Sequence, residues 1–153
     1  MSIRQMLRPE SRLARNVSRG MQALKPSHRS AITVSRTTVL DSLDLDSATR
    51  HLLPIGRRWD YLLGTSRRQN MLVGVEVHPA RANQVRPVIE KKRAAHRLLR
   101  DELIDARSVR CWLWIASGRS TITRTGPEAR LLALAGVRFV GRRLHLEKEL
   151  GSD

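Results

Sequence analysis

"LVGVEVHPAR", residues 72–81, sets a glutamate inside a stretch that otherwise reads as a buried strand. Val73, Val75 and Val77 alternate with Leu72, Gly74, Glu76 and His78, so the two sets occupy opposite faces of extended backbone that the β-branched residues favour. Both faces of the run 71–77 are largely apolar, which predicts a central strand, and Pro79, with no N–H to give, ends it. A carboxylate projecting from buried backbone costs several kcal/mol unless a cation or hydrogen-bond donor meets it. Glu76 therefore predicts a partner, and Gly74 upstream on the same face leaves space for a close neighbour.

Upstream, "RWDYLLG" (58–64) reads as a short strand ended by Gly64, with "RRQN" (67–70) as a polar turn. Paired as a hairpin with 71–77, it brings Asp60 to Glu76 at one end of a sheet. Two converging carboxylates repel unless a divalent cation lies between them, and Mg²⁺ suits such oxygen ligands. Downstream, Asn83 opens a helix to about Leu103 whose buried stripe, at 100° per residue, is Val85, Val88, Ile89, Ala95, Leu99 and Leu103. Lys92 falls near the centre of that stripe, Lys91 on its flank and His96 near its edge. "VRCWLWIAS" (109–117) is a third buried strand with Trp112 and Trp114 on one face, placed for core packing more than for base stacking. "TGPEARLLALAG" (125–136) is a helix with a Thr125/Glu128 capping box, Pro127 in its first turn and Gly136 as its stop. "VRFVGRRLHL" (137–146) alternates as a last, edge-like strand, and its "GRR" (141–143) reads as surface charge. Strands alternating with helices predict an α/β domain with a mixed sheet flanked by helices.

An aspartate on one strand, a glutamate on the next and a lysine on the helix behind form an order that, over residues 58–146, resembles the PD-(D/E)XK nuclease superfamily of restriction-endonuclease-like fold. The signature of that superfamily is Asp on one strand and Glu-X-Lys on the next; here Asp60 is followed by Glu76-Val77-His78, with His78 where the lysine belongs. In some branches the lysine has moved to the following helix, which gives its place to Lys92 and, second, to Lys91. The resemblance implies a metal-dependent nuclease hydrolysing phosphodiester bonds, DNA ahead of RNA. Asp60, Glu76 and the Val77 carbonyl would hold Mg²⁺ or Mn²⁺, Lys92 would stabilise charge or orient water, and His78 would act as acid, base or metal ligand. Many enzymes of this fold dimerise, so a homodimer or larger complex comes with it. The competing reading is structural. Asp60 would salt-bridge Arg57 or Arg58, Glu76 would form a buried ion pair with Lys92, and a backbone group would satisfy His78. The result would be a fold that binds nucleic acid, or assembles, without cutting.

Charge agrees with a nucleic-acid partner: 29 basic against 14 acidic residues give a net charge of +15, a field that favours polyanions. Lysine occurs only at positions 25, 91, 92 and 148, and the arginine excess also fits a GC-rich coding sequence. The length of 153 residues predicts one domain plus a tail. Cys111 is the only cysteine, which excludes an internal disulfide and a cysteine zinc cluster and fits a reducing compartment. No apolar run is long enough to span a bilayer and no secretory core opens the chain, so a soluble, cytoplasmic protein is expected.

Residues 1–36 differ in composition from the α/β domain expected at 37–150. Arg4, Arg8, Arg12, Arg15 and Arg19 recur at helical spacing, Glu10 is the sole acid, and Ile3, Leu7, Ala14, Val17, Met21 and Leu24 form a second stripe. A basic N-terminal extension is expected, as a phosphate-tracking arm, a targeting or membrane-surface helix, or a tail or packing helix. The nucleic-acid contacts expected are those five arginines with Arg57, Arg58 and Lys91. In "DSLDLDSATRHLLP" (41–54) the aspartates miss calcium-loop spacing and read as helix caps, with Asp46 opening the turn. The histidines at 28, 51, 78, 96 and 145 include no zinc-binding pair at short spacing, and "ASGRS" (116–120) lacks the Gly-X-Ser-X-Gly elbow of a hydrolase.

Overall fold

Six strands hydrogen-bond into one mixed sheet in the computed structural model, which describes residues 1–67 and 72–151. Beyond Arg67, the expected turn at 67–70 lies outside the described residues, as does Met71. The elements in order are α1 (Ile3–Met6), β1 (Val17–Arg19), α2 (Pro26–Arg29), β2 (Ile32–Thr33), β3 (Val39–Asp44), α3 (Leu45–Ala48), β4 (Tyr61–Thr65) and β5 (Leu72–His78). They continue with α4 (Val85–Glu102), β6 (Val109–Ala116), α5 (Pro127–Leu134), β7 (Arg138–Gly141), β8 (Leu144–His145) and α6 (Leu146–Leu150). The sheet order is β1-β3-β4-β5-β6-β7. Its first four strands pair antiparallel, whereas β5, β6 and β7 run parallel and are therefore joined by the crossover helices α4 and α5. A small parallel pair, β2 with β8, lies apart. It is tied down by Glu147, whose Oε1 accepts the backbone N–H groups of Ser35, Arg36 and Thr37 at 2.7, 2.8 and 2.7 Å. Those bonds, Thr37's foremost, hold the Glu147 carboxyl at about 2.

Each face of the sheet has its own core. Val73, Val75, Leu63, Leu113 and Ile115 pack on one side with Leu144 and Leu146. Leu62, Leu72, Trp112 and Trp114 pack on the other against Val85, Val88, Ala95 and Leu99 of α4. Gly74 lies opposite Trp112, and a Cβ there would come within 2.6 Å of that indole and 3.1 Å of Trp59 Nε1. The neighbour for which Gly74 makes room is a tryptophan pair, edge to face at 5.1 Å.

The first 36 residues differ most from expectation. They form no continuous basic helix; they build α1, a 3-10 turn at Ala14–Asn16, the edge strand β1, α2 and β2. Pro9 disfavours helix at Arg8, and Gly20 turns the chain at φ +52°. The apolar stripe is spent on the domain itself, with Ile3, Leu7, Val17 and Leu24 all buried. Asp41, buried in β3, accepts the N–H groups of Ile3 and Arg4 at 2.8 and 3.2 Å. Glu102, at the end of α4, accepts Ser11 Oγ at 2.7 Å and Arg12 Nε at 3.0 Å. The helix cap of the 41–54 stretch is Asp44, whose Oδ1 accepts Ser47 N–H at 2.9 Å, while Asp46 sits in the first turn and pairs with Arg58 at 2.8 Å. At the 125–136 helix the N-cap is Gly126, without a side-chain cap, and Gly136 ends the helix at φ +82°.

This docking depends on Gly64, where a Cβ would meet Asp41 Oδ1, with Ile3 N at 2.8 Å and Ser2 Cα at 3.0 Å. Backbone on one side and a buried carboxylate on the other leave no flexible side chain to yield. Gly64→Ala is expected to cost about 3 kcal/mol, lowering Tm by roughly 10 °C. An unchanged melting curve would contradict the close seat of the N-terminal segment.

Candidate functional site

Register alone carries Asp60 to Glu76. The last β4–β5 pair is Tyr61 with Val75, so one step further Asp60 faces Glu76 just where β4 begins. The two residues interlock there: Asp60 N–H donates to Glu76 Oε1 at 2.9 Å, and Val77 N–H donates to Asp60 Oδ2 at 2.9 Å. In an extended strand a residue's N–H and C=O address the same neighbour, so the Val77 carbonyl lies on the Asp60 side.

Glu76 shares its face with Leu62, Trp114 and the core under α4 and is 0 % exposed. Its second oxygen, Oε2, accepts Lys91 Nζ at 2.7 Å, the lysine side chain being 13 % exposed. Burial first, and the Asp60 charge second, push the Glu76 carboxyl up to about 8, while Lys91 and the Asp60 N–H pull against that rise. Asp60 is also raised by burial, opposed by the Val77 N–H and Lys91. Two carboxyls that resist ionisation together and one ammonium thus share a patch at the end of β4 and β5.

His78 completes the patch at lower rank. Its Nδ1 stands 3.8 Å from Glu76 Oε2 and its Nε2 is 2.6 Å from Gln84 Oε1. Gln84 occupies the N-cap position of α4 and makes no side-chain capping bond there. No spacing in the sequence pointed to Gln84, because its contact with His78 depends on how the chain turns after Pro79.

The expected residues divide as follows. Asp60, Glu76, Val77, His78 and Lys91 come together. Lys92 does not: it points past the carboxylates toward Trp112, its Nζ 5.9 Å from the ring centroid and close to Gly136, with its pKa lowered by burial and then by Arg93. The lysine on Glu76 is therefore Lys91, one residue from the expected one. Arg57 and Arg58 leave Asp60 alone, since Arg57 pairs with Glu90 at 2.8 Å and Arg58 with Asp46. Of the N-terminal arginines, Arg4 donates to the Val17 carbonyl at 2.7 Å and Arg12 pairs with Glu102 at 3.0 Å, so both serve the fold. Arg8 is half-buried, and Arg15 and Arg19 remain exposed.

Among the described residues no group of three or more His, Cys, Asp or Glu gathers to hold a metal ion, and no helix is long and apolar enough to cross a membrane. Comparison with known proteins finds no matching family model, curated protein or solved structure. The functional reading therefore rests on this geometry.

Proposed function

We propose that the chain is a metal-dependent nuclease of restriction-endonuclease-like architecture, hydrolysing phosphodiester bonds in nucleic acid, DNA ahead of RNA. The observation that carries this reading is the convergence of Asp60, Glu76 and Lys91, from two strands and a helix, on one patch. The donor set fits a hard divalent ion: burial raises both carboxyls, the Asp60 charge raises Glu76 further, and a cation between them would relieve that repulsion. Asp60, Glu76 and the Val77 carbonyl would hold Mg²⁺ or Mn²⁺. When bound, the ion would polarise a phosphate and acidify an attacking water. Lys91 sets an ammonium beside the carboxylates, where it would meet negative charge developing on phosphorus-bound oxygens. His78, anchored through Nε2 on Gln84, is placed to take or give a proton at Nδ1. The net charge of +15 concentrates the polyanion. A homodimer or larger complex, suited to cutting both strands of a duplex, belongs to the same proposal.

The test is incubation with plasmid, linear duplex, single-stranded DNA and RNA in Mg²⁺ or Mn²⁺, with and without chelator. The expected result is cleavage that chelator abolishes and Asp60→Asn eliminates. A second reading draws on the complete burial of Glu76 in a closed pair with Lys91: a non-catalytic nucleic-acid-binding or assembly module. Retention of nucleic acid without cleavage in any metal selects it.

A further inference from the structure

Helix α5 is apolar on two sides. Leu132 is fully buried against the core, yet Leu131 and Leu134 on its outer side are 57 % and 87 % exposed. A helix apolar all round is normally covered. Together with α4 it bounds a groove of about 630 Å³ whose apolar lining includes Ala82, Val85, Ile89, Leu131 and Leu134. Arg86 and Arg93 line it as well, and the acid among them, Glu90, is engaged by Arg57 at 2.8 Å. The groove thus combines an apolar floor with guanidinium groups.

We infer that this groove docks an acidic amphipathic helix of another protein, with apolar anchors on Ile89, Leu131 and Leu134 and carboxylates on Arg86 and Arg93. Charge and floor together select this occupant. A second copy of the chain would bring another net charge of +15 against these arginines. Nucleic-acid phosphates would satisfy the arginines but leave the leucines in water. Ile89 and Arg93 lie about 160° around α4 from Lys91, so the groove occupies a different flank from the carboxylates and does not rest on the nuclease reading.

The experiment measures fluorescence anisotropy of a fluorescein-labelled synthetic peptide of roughly 18 residues, with leucines on one helical face of a glutamate background. A scrambled peptide of the same composition is the control, and both are titrated with the full chain. The patterned peptide is expected to bind at least about tenfold tighter than the scrambled one, and Leu131→Ser with Leu134→Ser to remove that advantage. Both leucines are exposed, so the double variant is expected to keep the wild-type melting curve, and Ile104→Ser, exposed just past the far end of α4, is expected to change nothing. Amide shifts on binding should centre on α4 and α5. Equal binding of the two peptides, or leucine substitutions without effect, would overturn the inference by reducing it to bulk charge. A dimer, or duplex DNA binding, that disappears in the double leucine variant would overturn it in favour of a second copy or nucleic acid.

Discussion

Glu76→Gln is expected to lower the proposed metal-dependent cleavage at least about a thousandfold, roughly 4 kcal/mol of transition-state stabilisation, with nucleic-acid retention within about twofold of wild type. The amide keeps the shape of the side chain and an oxygen for the Asp60 N–H, so the loss falls on the negative charge that a cation requires. Stability supplies a readout independent of activity. In the folded chain Glu76 holds its proton up to about 8, well above the ordinary carboxylate range. The stability this gives is complete below the unfolded carboxyl pKa and declines as pH rises through the folded value. The wild type therefore loses stability relative to Glu76→Gln between about pH 5 and about pH 8, measured by denaturant unfolding across that window. Parallel profiles for the two proteins would mean that Glu76 is ionised throughout.

Lys91→Met is expected to cost about 3–5 kcal/mol at alkaline pH, because it strands a buried carboxylate whose partner stood at 2.7 Å. In mild acid the cost shrinks, since Glu76 takes up a proton instead; losing its cation raises the Glu76 pKa further and extends the pH-dependent loss above about 8. Lys92→Met tests the alternative assignment directly. Lys92 lies over Trp112, and an unbranched apolar chain can fill that space, so a change below about 1 kcal/mol is expected. In the cleavage assay Lys91→Met should lose roughly a hundredfold or more and Lys92→Met less than about tenfold. Equal losses, or the larger at Lys92, would overturn the assignment of Lys91 to the site.

Why the sequence ranked Lys92 ahead of Lys91 follows from helix geometry. Positions 91 and 92 both fall within one step of the stripe running through Val88 and Ala95, and a period of 3.6 cannot separate them. The choice is made by where β5 and β6 lie beneath α4: Glu76 captures one lysine and the Trp112 indole the other. The β4–β5 hairpin, the face of Glu76 and the space at Gly74 were legible because strand alternation has a period of two and admits no such ambiguity. The N-terminal segment was not. Its arginine spacing dominated the pattern, although Pro9 and Gly20 already broke the helix. Strand β3 was hidden for another reason: Asp41 and Ser42 are buried polar residues, made tolerable only by partners far along the chain. Gln84 left no mark at all.

Asp60 and Glu76 are proposed to hold a divalent cation jointly, and the most direct measurement is calorimetric titration of the full chain with Mn²⁺ at about pH 6 and about pH 9. The predicted result is one site whose affinity rises steeply with pH, because the ion must displace the proton on Glu76, and which vanishes in both Asp60→Asn and Glu76→Gln. Absence of binding to the wild type at either pH, or equal binding in both variants, would contradict it.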